Sequence, residues 1–337
     1  MKTFRKGFIK KKLLGKASAK KPLRKASAKA QSAMEYLMTY GWAILIMAVV
    51  LAALFQLGVF NPMTFAPKAP PGACQVFRPN GPYTTSFINL EGVCSGELPQ
   101  YVAEFNGANA YIQSPAIANK KSVSVWIKTI STTQQLILDG GVCGTTDQAY
   151  QLALTQTGGV GGSPPQNTPG VYVTFWADDI YIPNMNLADG TWHNIVLSWN
   201  GGSQVYLMVD GKLPQGYLWN GNSWSSLSSQ PFTMPSTPNP ANQPILIGEG
   251  RCQIWSVGST NLSGSIANVQ LYNTSLSANE IQALYLEGIG GAPIDLQHLV
   301  GWWPLNGNAN DYSGNGNNGQ TNNVNFVSNW YSGYTPP

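Results

Sequence analysis

The sequence predicts an all-β body carried behind one long apolar helix. Three observations predict it. The 337 residues are 43% hydrophobic and only 10% charged, with 36 Gly and 23 Pro, a composition that packs domains and makes many turns. Residues 37–60 contain no charge at all. Beyond Cys94 come repeated runs of four to eight β-branched and aromatic residues, each bounded by Gly, Asn, Asp or Pro, which is how strands read in a sequence.

Charge divides the chain at its front. The net charge is +4, but residues 1–30 hold twelve of the 19 Lys and Arg and none of the 15 Asp and Glu, so the other 307 residues are net −8. A basic overall balance therefore describes a leader and gives no reason to expect nucleic acid as a partner. Such a leader stays on the cytoplasmic side, held by the positive-inside bias. Taken alone, a basic nucleic-acid-binding tail is the alternative.

Residues 37–60, LMTYGWAILIMAVVLAALFQLGVF, would make roughly 36 Å of helix at about 1.5 Å per residue, enough to cross a hydrocarbon core of about 30 Å. A transmembrane helix is expected, with a buried core helix as the alternative. The stretch is too long for a secretory signal peptide, whose apolar region runs to about 15 residues. Residues 61–72, NPMTFAPKAPPG, hold four prolines and read as a linker.

Residues 28–37, AKAQSAMEYL, resemble the processing site of archaeal type IV pilin-like proteins with a class III signal peptide. The resemblance implies cleavage by a prepilin peptidase after Ala30, with Gln31 as the first mature residue and Glu35 as the fifth. Gly is common where Ala30 stands, and the leader is long for the family. A carboxylate at the edge of a membrane helix calls for a partner. The resemblance offers the new amino terminus of a neighbouring pilin-like subunit in a filament; a place for Glu35 in the headgroup layer is the alternative.

In the body, strands are expected at 122–127, 135–139, 150–154, 171–176, 192–199, 204–211, 245–248 and 264–272. The linker Asn200, Gly201, Gly202 predicts a hairpin between the fifth and sixth of these. One helix is expected at Ser277–Glu287, where Ser277 and Glu280 form a capping box and Gly288 ends the helix.

Three stretches in order, AEFNGANAYIQSP (103–115), TWHNIVLSWNG with VYLMVDGK (191–212) and GSIANVQLYNTSLSANEIQALY (264–285), resemble the concanavalin A-like lectin/glucanase superfold in its laminin-G-like form. The resemblance implies a jelly-roll β-sandwich. LVGWWPLNGNANDYSGNGNNG (299–319) resembles the opening strand and loop of that family but lies near the end of this chain. A circularly permuted jelly roll is therefore expected, with the C-terminal segment filling the first strand's slot; a truncated second repeat, leaving an unpaired edge, is the alternative. The expected domains are a cleaved leader (1–30), a pilin-like helix (31–60), a Pro-rich linker (61–72), a Cys-flanked extension (73–99) and the jelly roll (100–337).

Four cysteines on an exported surface suggest two disulfides, and of three connectivities Cys74–Cys94 with Cys143–Cys252 is preferred over free buried thiols. Asn261 and Asn273 head N-x-[ST] sequons. Glucanases need paired carboxylates on opposite sides of the glycosidic bond, but no E-x-D-x-x-E arrangement occurs, and adjacent Asp178 and Asp179 on a strand would point to opposite faces. His193 lies inside a strand motif, where a structural role is expected. No enzyme activity and no required cofactor are expected.

Glycan binding is the expected site chemistry. Trp219 and Trp224 offer an aromatic platform among Asn and Gly, near the strand-end pair Asp178 and Asp179, with core burial of the tryptophans as the alternative. Asn310 and Asp311 offer oxygen ligands for calcium, or form an ordinary turn. The expectation that gathers these is a structural and adhesive filament subunit, anchored in the membrane and then displayed on the cell surface. A single-pass membrane lectin that does not polymerise is the runner-up, and a divergent glycosidase the third reading.

Overall fold

The computed structural model describes residues 38, 40–53, 98–142, 148–155, 168–175, 178–235, 239–240, 242–251 and 261–337. The leader, the processing residues Ala30, Gln31 and Glu35, the Pro-rich linker and the four cysteines lie outside the described residues. The chain divides into two units, Met1–Phe65 and Ala66–Pro337.

In the first unit, residues 40–53 form a helix, α1. Its apolar side chains are exposed, Trp42 at 65% and Met47 at 61%. Among the described residues no helix is long and apolar enough to cross a membrane.

The described residues of the second unit form seventeen strands and one helix. The first nine strands are β1 (Val102–Asn106), β2 (Tyr111–Ile117), β3 (Ser122–Lys128), β4 (Gln135–Asp139), β5 (Gln151–Thr155), β6 (Gly170–Thr174), β7 (Asp179–Ile182), β8 (His193–Trp199) and β9 (Gln204–Val209). The short strands β10 (Gly216–Trp219), β11 (Trp224–Leu227), β12 (Phe232–Thr233) and β13 (Gln243–Ile247) follow, then the ten-residue β14 (Ser263–Tyr272). Helix α2 (Ala278–Glu287) and strands β15 (Leu299–Trp303), β16 (Gln320–Asn322) and β17 (Asn325–Val327) complete the unit.

They make two antiparallel sheets. One has eight strands, in the order β12-β9-β8-β3-β14-β1-β17 with β15 also on β14; the other has nine, β11-β10-β7-β6-β5-β4-β13-β2-β16. Alternate residues from both fill one core, Val125, Ile195 and Val269 from the first against Ile137, Leu152 and Ile180 from the second. This is the two-layer β-sandwich that the family resemblance implies.

The expected hairpin is β8–β9, with Asn200 Oδ1 accepting from Gly202 N and Gln204 N at 2.8 and 3.1 Å. Gly201 takes a φ of 80° there, a conformation that favours Gly. The helix starts where its capping box predicts: Glu280 Oε2 accepts from Ser277 N at 2.7 Å, and Ser277 Oγ accepts from Glu280 N.

The C-terminal segment returns to the sandwich. β3 pairs along one edge of β14, while β1 (Ala103 opposite Ile266) and β15 (Val269 opposite Trp303) share the other edge end to end. A bulge at Asn268, φ 49°, separates the two pairings. Meanwhile β16 adds to β2, and β17 to β1. Both strands that the segment brings to the sheet edges are therefore paired.

Candidate functional site

The outer face of the nine-stranded sheet carries a row of polar and aromatic residues fixed by register. Asp139 faces Gln151 on the neighbouring strand, Gln151 faces Thr174, Thr174 faces Asp179, Asp179 faces Trp219, and Trp219 faces Trp224. Directly opposed residues share a face, so six strands bring these side chains into one line. Their sequence neighbours Leu152, Val173, Ile180 and Leu218 point the other way, into the core. A second row on the outer face runs Ala153, Tyr172, Tyr181, Tyr217.

The hairpin β10–β11 closes this face at the sheet edge. Asn220 Oδ1 accepts from Asn222 N and Ser223 N at 3.0 and 2.9 Å, and Gly221 takes φ 85°, which turns the chain so that Trp219 and Trp224 pair. Their ring centroids lie 5.5 Å apart, and Trp224 meets Tyr181 edge-on at 6.2 Å. Both tryptophans are half-buried, whereas Tyr172 and Tyr181 are buried. Asp178 stands one residue before β7 and not on it, so the expected strand alternation between the two carboxylates does not apply.

Electrostatics separate the two ends of the row. At the inner end Asp139 accepts Gln151 Nε2 (2.9 Å), Arg251 N (2.7 Å) and Gly141 N (3.2 Å), with Arg251 Nη1 at 3.3 Å. Close by, burial lowers Lys120 to about 8, helped by the positive charge of Arg251 and opposed by Asp139. At the aromatic end, burial raises Asp179 to about 6. Hydrogen bonds from Thr174 and Tyr172 oppose that rise, and the charge of Asp178 adds to it. Tyr172, raised by burial and by Asp179, keeps its proton and donates it. One donor stands out: Trp224 Nε1 is buried without a hydrogen-bond partner among the described residues.

The arrangement offers a half-exposed aromatic platform backed by hydroxyls and a carboxyl group, which suits the apolar face and the hydroxyl edge of a sugar. Tyr181, Tyr217 and Thr174 were not expected at the site. The Asn-Gly turn of YLWNGNSW fixes only that Trp219 faces Trp224; the pairing of β7 with β6 and β10, which brings in Thr174, Tyr181 and Tyr217, has no signal in the local sequence.

The remaining expected residues lie elsewhere. Asp311 is buried, and its Oδ1 accepts from Trp302 N and Ser313 N while Oδ2 accepts from Ser313 Oγ and Asn317 N, all at 2.8–2.9 Å. A cation there would have to displace those donors; Asn310 is exposed and gives its N–H to Asn308 Oδ1. Among the described residues no cluster of three His, Cys, Asp or Glu could hold a metal. Asn261 gives its side-chain amide to Ala108 O, and Asn273 N pairs with His298 O. His193 lies between Asp210 (2.8 Å from Nδ1) and Asp189 (3.1 Å from Nε2). Burial alone would lower its pKa, but the two carboxylates outweigh that and raise it.

Residues 106–282, just over half the chain, match the sequence profile of the Laminin_G_3 family. The chain belongs to the concanavalin A-like lectin/glucanases superfamily. Its two antiparallel sheets fit the superfamily's jelly roll. Among solved structures it is similar to a Bacteroides ovatus protein assigned provisionally to carbohydrate binding (15% identity, 68% of this chain and 60% of that one, TM-score 0.45). It is also similar to a heptameric SAP-like pentraxin from Limulus polyphemus (12%, 56% and 82%, TM-score 0.39). The CBM40 of the Ruminococcus gnavus IT-sialidase is a third (18%, 50% and 84%, TM-score 0.32). The chain thus spans about three-fifths of the length of the first of these structures. No curated protein matches it.

Proposed function

We propose that this superfamily member is a glycan-binding surface protein, a subunit of a type IV pilin-like filament whose jelly roll faces outward. The observation that carries the binding reading is the Asp179–Trp219–Trp224 line, three side chains from three strands meeting at a sheet edge where both indole rings are half-buried. Half-exposed indole rings are large apolar surfaces on which the apolar face of a sugar can stack.

Binding, and not hydrolysis, fits the carboxylates. Asp139 accepts from Gln151, Gly141 and Arg251, and Asp179 from Thr174 and Tyr172, so neither is a loose acid or base facing a cleft. Glycan arrays with the full-length protein test the reading. Trp219→Ala with Trp224→Ala is expected to weaken the bound glycan at least tenfold, about 1.4 kcal/mol; unchanged binding would remove the site.

The filament reading rests on residues 28–37 and on α1. Its apolar side chains are exposed, and such a surface needs lipid or neighbouring helices around it. Processing by a prepilin peptidase ahead of Gln31 then frees the helix to pack with other subunits. Mass spectrometry of the native protein is expected to find a mature terminus at Gln31 in purified appendages. An intact leader on a dispersed membrane protein would instead leave a single-pass surface lectin.

A further inference from the structure

The opposite sheet offers a second open surface. On its outer face, Asn325, Glu104, Ser265 and Lys128 stand directly opposite one another on β17, β1, β14 and β3. Neighbouring strands lie about 4.8 Å apart, so this line of four is roughly 14 Å long. Two residues further along, Asn106 faces Ser263. Together they floor an open groove of about 400 Å³, within the range of about 300–1,000 Å³ typical of ligand pockets.

The groove begins where the sheet's own cover stops. In the preceding rows Val102, Ala267 and Trp126 are sealed under Trp192, Ile289 and Trp330. At the next row the residues turn polar, Glu104 and Asn325 are exposed, and Ser265 is half-buried. Lys128, which lines the groove, donates from Nζ to Ser332 O. Ile130, 78% exposed, forms an apolar rim. Among the described residues the carboxylate of Glu104, the amide of Asn325 and the hydroxyl of Ser265 make no hydrogen bond. Asn106, in contrast, is committed to its own turn, accepting from the N–H groups of residues 108, 109 and 110.

From this we infer that the groove is a second binding site, for a neutral oligosaccharide, which makes the domain bivalent with one site on each sheet. Along the line stand an amide, a carboxylate and a hydroxyl without a partner among the described residues, and then the Lys128 ammonium, which has two further protons to donate beyond its bond to Ser332 O. Sugar hydroxyls, each both donor and acceptor, can hydrogen-bond to every one of these groups. An anionic sugar would meet Glu104. The strand spacing is also close to the advance per residue of an extended 1,4-linked glycan, which places about one ring over each strand.

Native mass spectrometry of the full-length protein in mild detergent tests this, with mannotetraose, cellotetraose, N-acetylchitotetraose and a Ser/Ala decapeptide as probes. One tetrasaccharide is expected to saturate at two per chain. Glu104→Ala with Ser265→Ala should leave one, Trp219→Ala with Trp224→Ala should leave the other, and the fourfold variant none. Unchanged melting and circular dichroism of the Glu104/Ser265 variant exclude unfolding, and Glu104→Gln, expected to weaken the second event at least threefold, replaces it if folding suffers. Stoichiometry and affinity indifferent to the Glu104 and Ser265 substitutions would overturn the second site and leave the first standing. A single event lost on substituting Glu104 but not the tryptophans would keep the groove and remove the Trp219/Trp224 site. Decapeptide binding that alone depends on Glu104 would overturn the sugar assignment, and no binding by any tetrasaccharide would overturn both sites.

Discussion

On the outer face of the eight-stranded sheet, Trp302 gives its indole N–H to Asn268 at 2.8 Å; on the outer face of the nine-stranded sheet, Trp224 has no acceptor among the described residues. The contrast extends beyond these two rings. On the first face Trp192 donates to Trp330 O, Trp330 to Pro99 O, and Gln270 and Asn268 to Gly291 O. Helix α2 adds Ile281 and Leu284 over Val196, Met208 and Tyr272. The chain closes that part of the sheet against itself, and the polar groups it buries there are paired. On the second face the rings at the sheet edge stay half-buried, and the Trp224 indole hydrogen has no partner among the described residues. Paired polar groups under a cover are how a sheet is made stable, whereas an unpaired one beside half-exposed rings is how a sheet is left ready for a ligand.

The largest expected effect lies on the covered face. Trp330→Ala removes a ring that packs edge-on against Trp192 at 5.8 Å and donates to Pro99 O, so it should cost about 3–5 kcal/mol in urea unfolding. Trp219→Ala, at a half-buried ring on the other face, should cost about 1 kcal/mol or less. Equal costs would erase the distinction between the two faces.

Acid titration sharpens the comparison. Asp179 is raised from 3.8 to about 6, so between those values the folded state binds more protons than the unfolded one. The contribution of Asp179 is therefore present below pH 3.8 and lost as pH rises through about 6, a loss on the order of 2–3 kcal/mol. Melting temperature against pH should show this fall, and Asp179→Asn should abolish it. His193, also raised, contributes fully below pH 6.5 and loses its contribution as pH climbs through its folded pKa. A variant lacking Asp179 that keeps the lower fall while one lacking His193 loses it would reassign the titration.

Much of this architecture could be read from residue pattern. The longer strands show as runs of β-branched and aromatic residues between turn residues, and the helix announces itself through Ser277, Glu280 and Gly288. The strands β10, β11, β16 and β17 are three or four residues long, too short for a period to emerge. The site residues Asp179, Trp219 and Trp224 were visible as chemistry, but their meeting depends on register across three strands, which is a tertiary fact. Asp311 shows the converse difficulty. An Asp among Asn, Ser and Gly reads alike as a calcium ligand and as a turn organiser, and the two differ in where the backbone N–H groups of Trp302, Ser313 and Asn317 point.

The smallest expected effect comes from one substitution made on both faces. Trp302→Phe leaves Asn268 Oδ1 without its indole donor in a buried network that also joins Gln270 and Tyr272, so it should cost about 1–3 kcal/mol. Trp224→Phe removes a donor that has no acceptor among the described residues. The lost ring area and the relieved polar group then oppose each other, and the net change should stay within about 1 kcal/mol. Urea midpoints of the two variants measured side by side check this. If Trp224→Phe proved as costly as Trp302→Phe, the Trp224 indole would have a partner in the free protein, and the site would already be closed before any sugar arrives.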